Sequence, residues 1–170
     1  TRVSVVDINS FEFEKTITVS LNPNYIYSDS DGDVYVICMS DYSDDKSYIV
    51  QRIDAKTDEV KTVEGIKAYK MTVADDIAYI MFNDYYANEV KYYKYDLKNE
   101  KLLSDNFITD GTVVSSPNGI GVDPVTGDIY VGKSNKKNNG DVYVFSSEGK
   151  LKSQFETLPY PADFVFMTNK

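Results

Sequence analysis

Pro117–Phe155 reads PNGIGVDPVTGDIYVGKSNKKNNGDVYVFSSEGKLKSQF, four short strand patterns separated by turn chemistry. The strands run over Gly119–Val122, Asp128–Lys133, Asp141–Ser146 and Leu151–Phe155. The breaks are Asp123-Pro124 with Thr126-Gly127, then Asn138-Asn139-Gly140, then Glu148-Gly149. Such a unit is one small antiparallel sheet joined by tight turns.

The same unit recurs upstream. The third strand of each unit ends in a polar residue that opens a turn: Asp7, Asp54, Asp96 and Ser146, spaced 47, 42 and 50 residues apart. Second strands carry Tyr35, Tyr79 and Tyr130 in matching places. Periods of ~40–50 residues with four strands each are the signature of a β-propeller. The expected fold is therefore all-β, with about three and a half blades of four antiparallel strands. The expected units are 1–19 (the second half of a blade), 24–63, 68–103, 119–155 and 161–170 (the start of a blade), within one propeller domain or fragment.

Physical patterning agrees with this division. The second strands, VYVICM (Val34–Met39) and IAYIMF (Ile77–Phe82), are apolar on both faces, as strands covered by neighbouring blades must be. Phe11–Val19 alternates Phe11, Phe13, Ile17 and Val19 with Glu12, Glu14, Thr16 and Thr18, as a half-exposed outer strand does. No apolar stripe of helical period is present. Ser104–Ser116 is long and rich in Ser, Asp and Asn, and reads as the most mobile connection. Tyr35, Tyr79 and Tyr130 are expected to be buried between blades.

Composition narrows the function. The net charge of −9 opposes nucleic-acid binding, which needs a basic surface, and adsorption to anionic membranes. The chain has no histidine, which removes Ser/His/Asp and Cys/His nucleophilic sets and the commonest metal ligand. Its single cysteine, Cys38, sits in an apolar run and reads as a small buried hydrophobe. No stretch approaches the ~20 apolar residues of a membrane span.

Candidate ligand residues fall into two groups. Asn24, Tyr69, Asn118 and Asp163 stand where the innermost strands begin. Asp41, Tyr42, Tyr85, Tyr86, Lys133 and Asn135 lie in the loops after the second strands; tyrosine rings stack on sugar faces while their hydroxyls hydrogen-bond. Lys133–Asn139, a basic loop in an acidic protein, is either a solvated connection or a rim for an anionic or glycan partner. Asp29-Ser30-Asp31-Gly32-Asp33 could converge three carboxylates at alternate positions on a hard cation, Asp29 and Asp31 foremost, but its glycine stands fourth where a calcium loop needs it sixth. The alternative is a tight Asp-Gly turn. No cofactor is expected.

PNGIGVDPVTGDIYVGKSN followed by GDVYVFSSEGKLKSQF resembles the YVTN-type β-propellers of bacterial surface-layer-like proteins. The likeness is good over Pro117–Phe155 and weaker over the first two units, where NYIYS and AYKMTV lack the Pro-x-Gly opening and the tetrad itself is YVGK. It implies a propeller that is extracellular, periplasmic or on the cell surface, acting as a protein- or glycan-binding or scaffold module without catalysis. Pro117-Asn118-Gly119 also resembles gluconolactonase-like propellers, in which such an Asn holds a catalytic metal at the axis. That likeness carries the alternative, a metal-dependent lactonase-type hydrolase. Asn24 stands at the equivalent entry of one unit, but Tyr69 and Ala162 or Asp163 occupy the others, too few ligands for such a site; the preferred reading is that Asn118-Gly119 makes the turn into its strand.

Counting strands by role leaves a third and fourth strand at Arg2–Val19 and a lone first strand at Ala162–Met167. Their open edges would expose unpaired backbone groups. The expected cover is the remainder of the same propeller, roughly seven blades of ~45 residues, or a second copy.

Overall fold

The computed structural model describes residues 1–40, 48–84, 89–135 and 137–167. Asp41, Tyr42, Tyr85 and Tyr86, four of the loop candidates, lie outside the described residues. Among the described residues every strand pairs antiparallel, with one isolated parallel bridge between Tyr92 and Asn106, and no helix is long and apolar enough to cross a membrane. The chain falls into two compact units, Thr1–Ala68 and Tyr69–Lys170.

The first unit opens with the hairpin β1 (Arg2–Val6) and β2 (Phe13–Thr18). Then come β3 (Pro23–Ser28), β4 (Val34–Cys38), β5 (Ile49–Ile53) and β6 (Val60–Lys67), a four-stranded meander in chain order. Val3 and Ile17 from the hairpin pack with Val19, Val36, Cys38 and Ile53 to make its core. Cys38 is buried, and that burial pushes its thiol above the usual cysteine range.

The second unit holds two more meanders. One is β7 (Lys70–Ala74), β8 (Ile77–Asp84), β9 (Glu89–Asp96) and β10 (Lys101–Ser104). The other is β11 (Pro117–Val122), β12 (Ile129–Lys133), β13 (Gly140–Phe145) and β14 (Leu151–Thr157). Their facing sides form one core: Tyr79, Met81 and Tyr92 against Ile120, Val122, Ile129, Val131, Tyr143 and Phe145.

Burial follows strand position as the sequence patterning requires. β4 and β8, second in their sheets, are buried through most of their length. The outermost strands β2, β10 and β14 are exposed along theirs. Tyr35 and Tyr79 are buried, whereas Tyr130 is half-buried, its ring meeting Phe164 and Phe166 at centroid distances of 5.8 and 5.1 Å.

The recurrent aspartates have a local cause. Asp7 Oδ1 accepts from the N–H groups of Asn9 and Ser10, Asp54 Oδ1 from those of Lys56 and Thr57, and Asp123 Oδ1 from those of Val125 and Thr126. Asp96 Oδ1 does the same for Asn99. Each carboxylate closes its turn by taking over backbone donors that the strands have left, an Asx turn.

Three expectations need correction. The outer strand β2 begins at Phe13 and not at Phe11, because Phe11 takes a left-handed backbone (φ 58°) that closes the turn. Residues 104–116 are no loose connection: Phe107, Ile108 and Val114 are core residues. Thr109 N–H donates to Gly149 O and Leu151 N–H to Asp110, which fastens the segment to the β13–β14 turn. Gly119 is not a turn glycine: its φ is not positive, and a Cβ there would run into the Ala162 carbonyl.

Candidate functional site

The inner strands bring together fewer of the candidates than their sequence positions suggest. In the first unit, Asn24 is exposed on β3, its Nδ2 donating to Met39 Sδ at 3.0 Å. In the second, Tyr69 is half-buried and packs on the core below β7. Asn118 is half-buried on β11, one residue from the point where Gly119 meets Ala162.

Asp163 is the one inner candidate in a strong pair. Its Oδ1 accepts from Lys70 Nζ at 2.6 Å, and the same ammonium donates to Ala162 O at 2.8 Å. Lys70 was not among the candidates. Its side chain is only 5% exposed, against 77% for Asp163, so the contact joins a buried cation to a carboxylate at the surface.

The chain around Asp163 lies on bare backbone. Cβ atoms placed on Gly119 and Gly132 would collide with the carbonyls of Ala162 and Pro161. On Gly121 and Gly140 they would come within 2.7 Å of Phe164 Cβ and Pro161 Cδ. Four glycines of β11, β12 and β13 thus make a floor on which residues 161–164 lie closer than any side chain would allow. Residues 161–167 form no paired strand among the described residues.

Lys133 and Asn135 converge on one carboxylate. Asn135 Nδ2 donates to Asp141 Oδ2 at 3.1 Å and to Asn139 O at 2.8 Å, and Lys133 Nζ stands 3.9 Å from Asp141. Asn139 Nδ2 also donates to Glu156 Oε1 at 2.9 Å, and Ser134 N–H to Ser116 O at 3.1 Å.

The carboxylates of the β3–β4 turn, Asp29, Asp31 and Asp33, are differently placed, and Asp31 is exposed. Asp29 Oδ1 accepts from the N–H groups of Asp31 and Asp33, closing the turn as the other aspartates do. Asp33 is buried against Arg52, whose Nε donates at 2.9 Å, and takes the Ala55 N–H at 2.8 Å. Among the described residues no group of three or more His, Cys, Asp or Glu is arranged to hold a metal ion.

The concavity of the second unit lies elsewhere. A pocket of ≈ 310 Å³ opens between β9 and the 104–116 segment, lined by Val90, Tyr92, Asn106, Ile108, Thr112, Val113, Val114 and Ser115. Tyr92 OH donates to Val114 O at 2.8 Å across it, and burial pushes the phenol well above the usual tyrosine range. Phe107 crosses Tyr79 and Tyr92 edge to face, each at 5.5 Å, and supports the floor. The walls are apolar with hydroxyls from Thr112 and Ser115. This lining suits binding. The signal that could have found it is the apolar run Phe107-Ile108 and Val113-Val114 inside an otherwise polar segment.

No family model matches the sequence, and no curated protein matches it. Solved structures do. The chain is similar to the Dos1 propeller with a TM-score of 0.66 at 12% identity, covering 95% of this chain and 43% of that one. The fold is a β-propeller. TolB from Acinetobacter baumannii matches it with a TM-score of 0.63 at 15% identity, over 94% of this chain and 38% of TolB. The β-propeller domain of the Trilobed protease from Pyrococcus furiosus, which has an open velcro topology, matches with a TM-score of 0.56 at 10% identity, over 80% of this chain and 42% of that one. The chain therefore spans less than half the length of each of these three chains. In propeller terms β3–β6, β7–β10 and β11–β14 are three blades and β1–β2 is half of another.

Proposed function

We propose that this chain is a non-enzymatic binding or scaffold part of a β-propeller, engaging a protein or glycan at the cell surface or elsewhere outside the cytoplasm. The observation that carries the reading is the pocket between β9 and the 104–116 segment, with apolar walls and hydroxyls at its edge. Supporting it is the segment's anchorage by core residues, which makes the pocket preformed and lowers the entropy cost of binding. The YVTN-type likeness of Pro117–Phe155 supports the location and the surface-layer kinship.

Asn24, Tyr69, Asn118, Asp163, Lys133 and Asn135 belong to this proposal as contacts on the side of the propeller where innermost strands begin. The open edges belong to it too. Among the described residues β1 pairs only with β2, and residues 161–167 pair with no strand. The remainder of the same propeller, or a second copy, would cover them. The lactonase-type alternative needs several oxygen ligands around Asn118, and no observation gathers them there.

The test is a titration of ¹⁵N-labelled protein with neutral oligosaccharides and with short unstructured peptides. The reading expects saturable amide shifts at Val90, Tyr92 and Thr112–Ser115, lost in Val114→Trp, which fills the pocket. If no probe of either class moves those amides, the reading fails.

A further inference from the structure

The tight turns of this protein provide an internal comparison that singles out one of them. Asp7-Ile8-Asn9-Ser10-Phe11, Asp54-Ala55-Lys56-Thr57-Asp58 and Asp123-Pro124-Val125-Thr126-Gly127 share one geometry. In each, the last residue's N–H donates to the carbonyl of the opening aspartate: Phe11 to Asp7 at 2.8 Å, Asp58 to Asp54 at 2.9 Å, Gly127 to Asp123 at 2.8 Å. The last residue is left-handed every time, with φ 58°, 60° and 71°. Glu100, four residues after Asp96, has φ 48°, and Gly149 closes the β13–β14 turn with φ 80°.

At that position the other turns carry Asp, Glu or Gly. Among the described turns of this geometry only the β1–β2 turn carries an aromatic residue at that position, and Phe11 is 79% exposed; Tyr48 (φ 64°) and Tyr160 (φ 59°) are left-handed aromatics outside such turns. A bulky residue with positive φ is a backbone outlier, and exposure of its ring adds nothing to set against the strain. Within this chain Phe11 is costly with no return. Phe13, two residues on, is 63% exposed beside it.

Two further strands beside this hairpin would not account for Phe11. Ile8 is also exposed, and its counterparts divide: Leu97 is buried and donates its N–H to Asp76 O, while Ala55, beside Gly32, is exposed. A four-stranded sheet can cover this position, as it does at Leu97. Phe11's counterparts are charged or glycine even in the complete sheets.

We propose that the tip of the β1–β2 hairpin is a docking knob, with Phe11 and Phe13 entering an apolar pocket of another protein whose rim is rich in lysine and arginine. The rim chemistry follows from Glu12 and Glu14, both exposed, which alternate with the two phenylalanines. Lys15, the next residue, is paired to Asp58 at 2.7 Å and does not offset them. The same charges set two knobs of two copies against each other, and the chain's net charge of −9 opposes an anionic bilayer. A buried aromatic anchor ringed by opposite charge is the usual build of an interface hot spot.

The experiment places the photo-crosslinking residue p-benzoylphenylalanine at position 11 and, as a control, at position 58, in the cell that makes the protein. Crosslinked peptides are then mapped by mass spectrometry. The proposal expects a discrete protein adduct from position 11 and none of it from 58. The mapped peptide should line an apolar pocket bordered by basic residues, and the adduct should fall at least tenfold in a Glu12→Lys/Glu14→Lys background. The same adducts from both positions, a lipid adduct, a second copy of this chain, or no adduct would each overturn it. Separately, Phe11→Asp, which installs the residue found at position 58, should leave the thermal midpoint unchanged or raise it. A marked fall would show that Phe11 serves the fold and would also overturn the proposal.

Discussion

Lys70 Nζ and Asp163 Oδ1 meet at 2.6 Å across 93 residues of sequence. Removing a lysine ammonium from water is expensive unless its donors are taken up, and here a carboxylate and the Ala162 carbonyl take two of them. The pair therefore fastens residues 161–167 to the inner strand β7.

Asp163→Ala should destabilise the protein by ~1–3 kcal/mol, because it leaves the ammonium buried with less compensation, though the carboxylate's own exposure limits the loss. Lys70→Met should cost less, since no buried charge remains. Urea unfolding checks the order of the two. Equal costs would mean that the contact is incidental.

Gly132→Ala should destabilise by ~1–3 kcal/mol, the range for overpacking, because its Cβ would enter the Pro161 carbonyl. Gly65 is the control. It has φ 76° and nothing within 4 Å of a Cβ, so Gly65→Ala should cost only the ~1–2 kcal/mol of a left-handed L-residue. Hydrogen exchange separates them: only Gly132→Ala should deprotect residues around 161–164.

Gly149 combines both penalties, with φ 80° and a Cβ that would strike Phe107 O. Gly149→Ala should release the 104–116 segment and deform the pocket. Tyr92→Phe acts on the same segment more gently, removing the bond to Val114 O for ~0.5–1.5 kcal/mol. In both variants the amides of residues 107–114 should exchange faster while β3–β6 stays unchanged.

The turn aspartates set an acid response. Donation from the Ser10 backbone, first among the causes, holds Asp7 below the usual carboxylate range. Donation from Thr57 does so for Asp54, from the Asn99 side chain for Asp96, and from Val125 for Asp123. A carboxyl with a lowered folded pKa binds its proton more readily in the unfolded chain. Its contribution is complete above the unfolded value, ~3.9, and is lost as pH falls below that through the folded values. The urea midpoint should hold from pH 7 to pH 5 and drop towards pH 2. Replacing all four by Asn keeps an acceptor and should flatten that drop.

What could be read from the sequence was what local chemistry decides. Asp7, Asp54 and Asp96 announce their turns because an Asx turn is closed within a few residues. Val34–Met39 and Ile77–Phe82 announce double burial because no polar side chain interrupts them. The glycine floor was illegible: Gly119 reads as a turn residue and Gly132 as an ordinary strand position until Pro161–Ala162 is seen lying on them. The 104–116 segment misled through its polar composition, since Phe107, Ile108 and Val114 find their core only in three dimensions. Lys70 went unnoticed for the same reason, its partners standing some ninety residues away.

A floor without side chains has no teeth. Most packed strands are indexed by knobs that fit only one set of gaps, but residues 161–164 rest on bare peptide and feel little resistance to sliding along it. Their position is set by a few pins: the Lys70 clamp on Asp163, and Phe164 and Phe166 closing on the Tyr130 ring. Phe164 and Phe166 are two residues apart and chemically alike, so a slip of one strand period would put the second ring where the first belongs. Together with Pro161 seated on Gly132 and Gly140, the lysine tells the two alignments apart. Its removal should turn one sharp set of amide resonances for residues 161–167 into two.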